Sequence, residues 1–307
     1  MRSKKCQDIK TNRLQRIITR MKKILVCTDG SPFAENSYRY GAWFATRLSA
    51  EVNVLCVTDI RSQQPVSTGN LSGSIGIDAS EALLNQLVEL EHEKAKLNHQ
   101  RAKLTLQAAE QALKAEGVQQ IKLIHETGFL VDCFHEFEAQ SDLIVLGKRG
   151  ETAEFASGHL GANLERIVRS SHKPCLITSR QFRPIQRLLL AYDGSSSCKK
   201  MLQFLVDSPV FKGLELYIVI VAKSVEDATA NSRIDEARQQ ARTGGFEPVC
   251  CLIEGNPEAA IAQYSEESNI DLLMMGAYGH SRIRHLVIGS TTAQMLRSSN
   301  IPVLLFR

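Results

Sequence analysis

Gly276 and Gly279, followed after nine residues by Gly289 and the hydroxyl run Ser290, Thr291 and Thr292, have residue types and spacing suited to holding an anion. Glycines admit positive φ and let a ligand approach the backbone closely. A helix opening at the hydroxyl run would present unpaired N–H groups and the positive end of its dipole to a phosphate. Ser290, Thr291 and Thr292 add hydroxyl donors where helix caps are found. Tyr278 lies between the first two glycines, and Arg282 and Arg284 follow with no acid between Gly276 and Gly289, so the loop suits a polyphosphate. The same residues also suit a plain turn and a plain cap. It is not a Walker loop, because no Gly-Lys-Ser/Thr follows.

Two carboxylates share a second motif. Asp29-Gly30-Ser31 and Asp193-Gly194-Ser195 each end an apolar run, where a doubly wound sheet opens its ligand crevice. By themselves they also read as a turn into a capped helix. The eight histidines form no metal-binding helix motif, and no nucleophile elbow occurs. One carboxylate beside an anion loop describes binding better than acid–base catalysis. No catalytic residue and no metal ligand is assigned.

The elements that must position these groups occur twice. Lys23–Ser31 reappears as Arg187–Ser195, Ser141–Gly150 as Ile270–Gly279, and His172–Thr178 as Asn300–Phe306. Three matched blocks in one order are an internal duplication. Short Val/Ile/Leu runs without polar alternation, separated by helical patterns, are strands of a parallel sheet covered on both faces. They fall near 23–29, 51–58, 121–126, 142–147 and 174–178, then near 187–192, 214–222, 247–253, 271–276 and 302–306. The expected fold is therefore α/β: two tandem doubly wound, Rossmann-like domains, each a five-stranded parallel sheet with helices on both faces. The expected divisions are a basic extension over 1–20, a first domain over 21–180 and a second over 181–307.

The copies differ in length: 113 positions separate Asp29 from Asp142, but 78 separate Asp193 from Asp271. The excess falls near 60–116. A polar loop, 61–77, precedes a capping-box pattern, Asp78-Ala-Ser-Glu81, and a helix that should stop at Gly117. Leu83, Leu87, Leu90, Leu97, Leu104, Ala108 and Ala112 give that helix an apolar stripe. It can pack on its own sheet, cross the other domain or overhang as a dimer contact.

Across 307 residues, 43% apolar and 23% charged residues fit an ordinary globular protein of two domains. A net charge of +4 without an aromatic-interleaved basic stripe gives no reason to expect nucleic acid. Eight cysteines with no C-x-x-C pair, several within apolar runs, fit a reducing cytosol. Cys250 and Cys251 should face opposite sides of a strand. No apolar run reaches the ~18–20 residues of a membrane helix. The extension carries Arg2, Lys4, Lys5, Lys10, Arg13, Arg16 and Arg20 against Asp8, and is no secretory signal.

The spacing Gly276-x-x-Gly279, nine residues, then Gly289-Ser290 resembles the nucleotide signature of the universal stress protein family in its ATP-binding branch. The resemblance covers nearly all of the chain after Met21, in two copies. It implies the adenine nucleotide alpha hydrolase-like form of the fold and an ATP-binding second domain. There Asp193 would face adenine or ribose, and Gly194, Gly276, Tyr278, Gly279, Arg282, Gly289, Ser290, Thr291 and Thr292 would complete the pocket. The implied ligand is ATP or a related adenine nucleotide, alone or with Mg2+, in a cytoplasmic stress-response module that hydrolyses it weakly at most. The resemblance also implies an internal pseudo-dimer through the last strands, and leaves a homodimer open. The first copy departs from the pattern. Asp29, Gly147 and Gly150 remain, but ten residues rather than nine precede Gly161, Ala162 replaces the hydroxyl, and Glu151 and Glu154 offset Lys148 and Arg149. Asn163 is its remaining helix-start donor. That copy should bind nucleotide weakly or not at all. An interaction protein without nucleotide and a slow ATPase are the alternative functions.

Overall fold

A computed structural model describes residues 21–31, 34–60, 77–148, 162–277 and 290–307. The basic extension, the glycine-containing loop after the second strand and most of both anion loops lie outside them. The first copy runs β1 (Lys23–Thr28), α1 (Ala34–Leu48), β2 (Glu51–Asp59), α2 (Ile77–Ala115), β3 (Ile121–Gly128), α3 (Leu130–Glu138), β4 (Leu143–Gly147), α4 (Ala162–Ser170) and β5 (Cys175–Thr178). The second runs β6 (Arg187–Ala191), α5 (Ser196–Asp207), β7 (Glu215–Ala222), α6 (Ala228–Thr243), β8 (Val249–Glu254), α7 (Pro257–Glu267), β9 (Leu272–Gly276), α8 (Ser290–Ser298) and β10 (Val303–Phe306).

The strands form one ten-stranded sheet, ordered β3-β2-β1-β4-β5-β10-β9-β6-β7-β8. Within each copy every described pairing is parallel. The copies join where β5 and β10 run antiparallel, with Leu176 opposite Leu304, flanked by Ile177–Val303 and Cys175–Leu305. Each last strand thus meets its own repeat, with the equivalent residues Leu176 and Leu304 at the centre. Apolar side chains fill both faces of the sheet, which is why its strands read as unbroken apolar runs. Cys250 packs on one face and Cys251 on the other, as a strand's alternation requires.

A carboxylate before the fourth strand serves the same structural purpose in both copies. Asp142 accepts from the main-chain N–H groups of Lys22 (2.9 Å) and Lys23 (3.1 Å). Asp271 accepts from those of Gln186 and Arg187, both at 2.9 Å. Each pins the start of its first strand beside its fourth, satisfying donors with no strand partner there.

The long helix departs from expectation in its start and in its buried face. It already includes Asp78 at its second residue, so the capping-box pattern falls inside the helix. It does stop at Gly117, whose φ of +90° lets Val118 N–H bond back to Leu113 O at 3.1 Å. The face that packs is Ala102, Leu106, Ala109 and Leu113. Leu87, Leu90, Leu97 and Leu104, read from the sequence as its apolar stripe, are exposed. The reason is register. Ala102 to Gly117 is the part that repeats α6, where Ile234, Ala237, Ala241 and Gly245 stand in the places of Leu106, Ala109, Leu113 and Gly117. The added first half lies beyond the sheet.

Candidate functional site

The candidate site lies where β6 and β9 run side by side and the chain leaves them in opposite directions across the sheet. Asp193 follows β6, and Gly276 is the last residue of β9. Asp193 Oδ1 accepts the Ser195 N–H at 2.8 Å, and Ser195 Oγ caps α5 by accepting from Cys198 N at 3.3 Å. The first copy repeats the turn, with Ser31 N donating to Asp29 Oδ1 at 3.0 Å. The Asp-Gly-Ser turn therefore holds in both copies, but the side-chain helix cap is seen in the second alone: Ser31 Oγ is buried with no partner among the described residues.

Gly194 has φ of +77°, and a Cβ there would sit 2.8 Å from Cδ of Arg233. The guanidinium of Arg233, from α6, donates to the Asp193 carbonyl at 3.1 Å. A half-buried cation thus closes over the turn. Gly30 has a matching φ of +75°, but the side chain over it is Thr105. Sequence reasoning missed Arg233. The signal was the repeat register of α2 and α6, which sets Arg233 against Thr105 once the helices are aligned on their glycine ends. Replacing Gly194 by alanine forces a left-handed L-residue and displaces Arg233. A stability loss of about 1–2 kcal/mol is expected, read as an earlier chemical-denaturation midpoint; an unchanged midpoint would refute this account of the turn.

Helix α8 begins at Ser290 with no acid in its first turn. Thr291 is half-buried there, while Thr292 is buried and donates its hydroxyl to the Gly276 carbonyl at 3.0 Å. That bond ties the helix start to the end of β9, so Thr292 holds the two elements together. In the first copy α4 carries Glu165 in its first turn, and Asn163 is exposed. Gly147 ends β4 as Gly276 ends β9. Lys148, expected in the first anion loop, donates across the copies to the Ser299 carbonyl at 2.6 Å, just beyond the carboxyl end of α8, where a cation is favoured. Gly150, Gly161, Tyr278, Gly279, Arg282 and Gly289 lie outside the described residues.

Cys198, beside the turn, is no poised nucleophile: burial and the Asp193 charge push its thiol up to about 12. Among the described residues no three His, Cys, Asp or Glu side chains gather as a metal site. No helix among them is long and apolar enough to cross a membrane.

A duplicated α/β fold with a cation and an acid-free helix start at one switch point defines a class of two-copy, doubly wound proteins. The match to known proteins is specific within that class. Residues 21–179 and 184–307 each match the universal stress protein family, and this chain belongs to that family. It is 55% identical over 287 residues to Universal stress protein Slr1230 of Synechocystis sp., covering 94% of this chain and all of that one. A universal stress protein structure from Archaeoglobus fulgidus shares the fold at TM-score 0.66 and 20% identity, covering 94% of this chain and 97% of that one. A universal stress protein solved in complex with cAMP is 19% identical, covering 52% of this chain and 98% of that one, at TM-score 0.35.

Proposed function

We propose that the chain is a cytoplasmic regulatory binding module whose second copy holds ATP or a related adenine nucleotide, with occupancy biasing the proteins it engages. The observation that carries this reading is the electrostatic contrast between the two crevices. The second has the Arg233 guanidinium over the Asp193–Gly194 turn and a helix start without acid. The first has Thr105 and Glu165 at the matching places. The donor set fits a polyphosphate: guanidinium, helix-start N–H groups and the Thr291 hydroxyl. Any Mg2+ would arrive with the phosphates, since no protein metal site gathers among the described residues.

The test is to denature the purified protein, identify released nucleotide by chromatography and mass, and repeat with Gly289→Ala/Ser290→Ala and Arg233→Ala variants. About one adenine nucleotide per chain is expected, lost from the first variant and depleted at least tenfold in the second, as for one charge-assisted contact. No nucleotide in the parent protein, and no heat-stabilisation by added Mg-ATP, would sink the reading and leave the interaction protein in its place.

A further inference from the structure

We propose that the exposed first half of α2 pairs antiparallel with the same helix of a second copy of this chain, making a dimer through a short coiled coil. The helix has 39 residues and so runs about 58 Å at 1.5 Å per residue. From Asn85 to Arg101 every residue is exposed except Lys94 and Asn98, which are half-buried.

Leu90, Leu97 and Leu104 recur every seven residues at 61%, 65% and 67% exposure. Seven-residue spacing of leucines is the seam of paired helices. At about 100° per residue, these leucines lie roughly 100–200° round the axis from Ala102, Leu106, Ala109 and Leu113, which face the sheet, with Leu104 nearest to opposite and Leu90 furthest from it. The seam therefore points away from the face that packs on the sheet. Leu87, also exposed and about 60° round the axis from Leu90, adds apolar surface near its start. Large aliphatic side chains in a row on a surface mark an interaction site.

Charge selects the occupant and its direction. Glu89, Glu91 and Glu93 crowd the earlier part of the exposed stretch, while Lys94, Lys96 and Lys103 occupy the later part. In a parallel pair, acid would face acid and base would face base. Turned end for end, a second copy sets its lysines along the first copy's glutamates. The competing contact within one helix, Lys94 Nζ to Glu91 Oε1 at 3.7 Å, is solvent-exposed and weak. The helix is thus complementary to itself in the antiparallel sense, which singles out a second copy of this chain.

Sedimentation velocity of the full chain over about 1–100 µM should show a reversible dimer. Leu90→Lys/Leu97→Lys should be monomeric with unchanged circular dichroism and melting, because both side chains lie outside the core. Lys94→Glu/Lys96→Glu/Lys103→Glu and Glu89→Lys/Glu91→Lys/Glu93→Lys should each self-associate at least about tenfold more weakly. An equimolar mixture of the two should dimerise again. Added salt should weaken the parent dimer. A parent protein monomeric at the highest concentration, a dimer that survives Leu90→Lys/Leu97→Lys, or one that tightens with salt would overturn the proposal.

Discussion

Leu304→Ala and Leu176→Ala should each lower the free energy of unfolding by about 2–5 kcal/mol. Both side chains are fully buried and stand opposite one another where the two copies meet. Each also backs onto the fourth strand of its own copy, Leu304 beside Met274 and Leu176 beside Val145. Removing either therefore opens a cavity at the centre of the ten-stranded sheet, with partners on both sides. Because the pair is in contact, the double variant should depart from additivity by about 0.5–3 kcal/mol. Denaturant titrations of the four proteins measure this. Two separate transitions, each moved by only one of the single variants, would show instead that the copies unfold independently.

Glu138→Ala should cost about 2–4 kcal/mol, lowering Tm by roughly 5–10 °C. The carboxylate ends α3 at 4% exposure. It accepts from Ser171 Oγ, from His172 N at 2.6 Å and Lys173 N at 3.2 Å, and pairs with His135 Nδ1 at 2.9 Å. Truncation would leave those donors without their acceptor in the turn that feeds β5. Arg307, the last residue of the second copy, donates to the Ser171 carbonyl at 3.0 Å in the same turn. The repeat does not reproduce this arrangement: Glu267, at the matching place, accepts from Gln263 Nε2 at 2.7 Å.

Burial by itself would raise the Glu138 pKa, but the bonds from Ser171, the His172 N–H and His135 outweigh it and hold the carboxyl below the usual range. A depressed folded-state pKa gives stability that is complete above the unfolded value, about 4.3, and is lost as pH falls through the folded value. Melting of the parent protein should therefore fall more steeply below about pH 5 than that of Glu138→Gln. Parallel acid limbs for the two proteins would show that Glu138 is not the group responsible.

The two copies have diverged around a shared frame. Both keep the glycine turn after the first strand and the carboxylate that pins that strand to the fourth. They differ in what surrounds those elements. The first has the buried Glu138 cluster, the lengthened helix and a lysine given to its neighbour; the second has Arg233. One copy has the features of a scaffold and the other those of a crevice.

The sequence by itself determined the duplication, the fold class and the approximate places of the strands. Strands covered on both faces must be apolar at every position, so Leu143–Gly147 and Leu272–Gly276 are legible as runs wherever they occur. The Asp-Gly-Ser turns were equally legible, because positive φ at Gly30 and Gly194 depends on the local residue type. Tertiary structure alone decided which face of α2 is buried. Periodicity shows that a helix has an apolar face but does not say what meets it, and the strongest stripe, Leu90, Leu97 and Leu104, is exposed among the described residues. The contacts of Arg233 with Asp193, Lys148 with Ser299 and Ser171 with Glu138 join residues 40, 151 and 33 positions apart. No local pattern encodes such pairs, because the sheet order and helix register that bring them together exist only in the folded copy and, for Lys148 with Ser299, only once the two copies have joined.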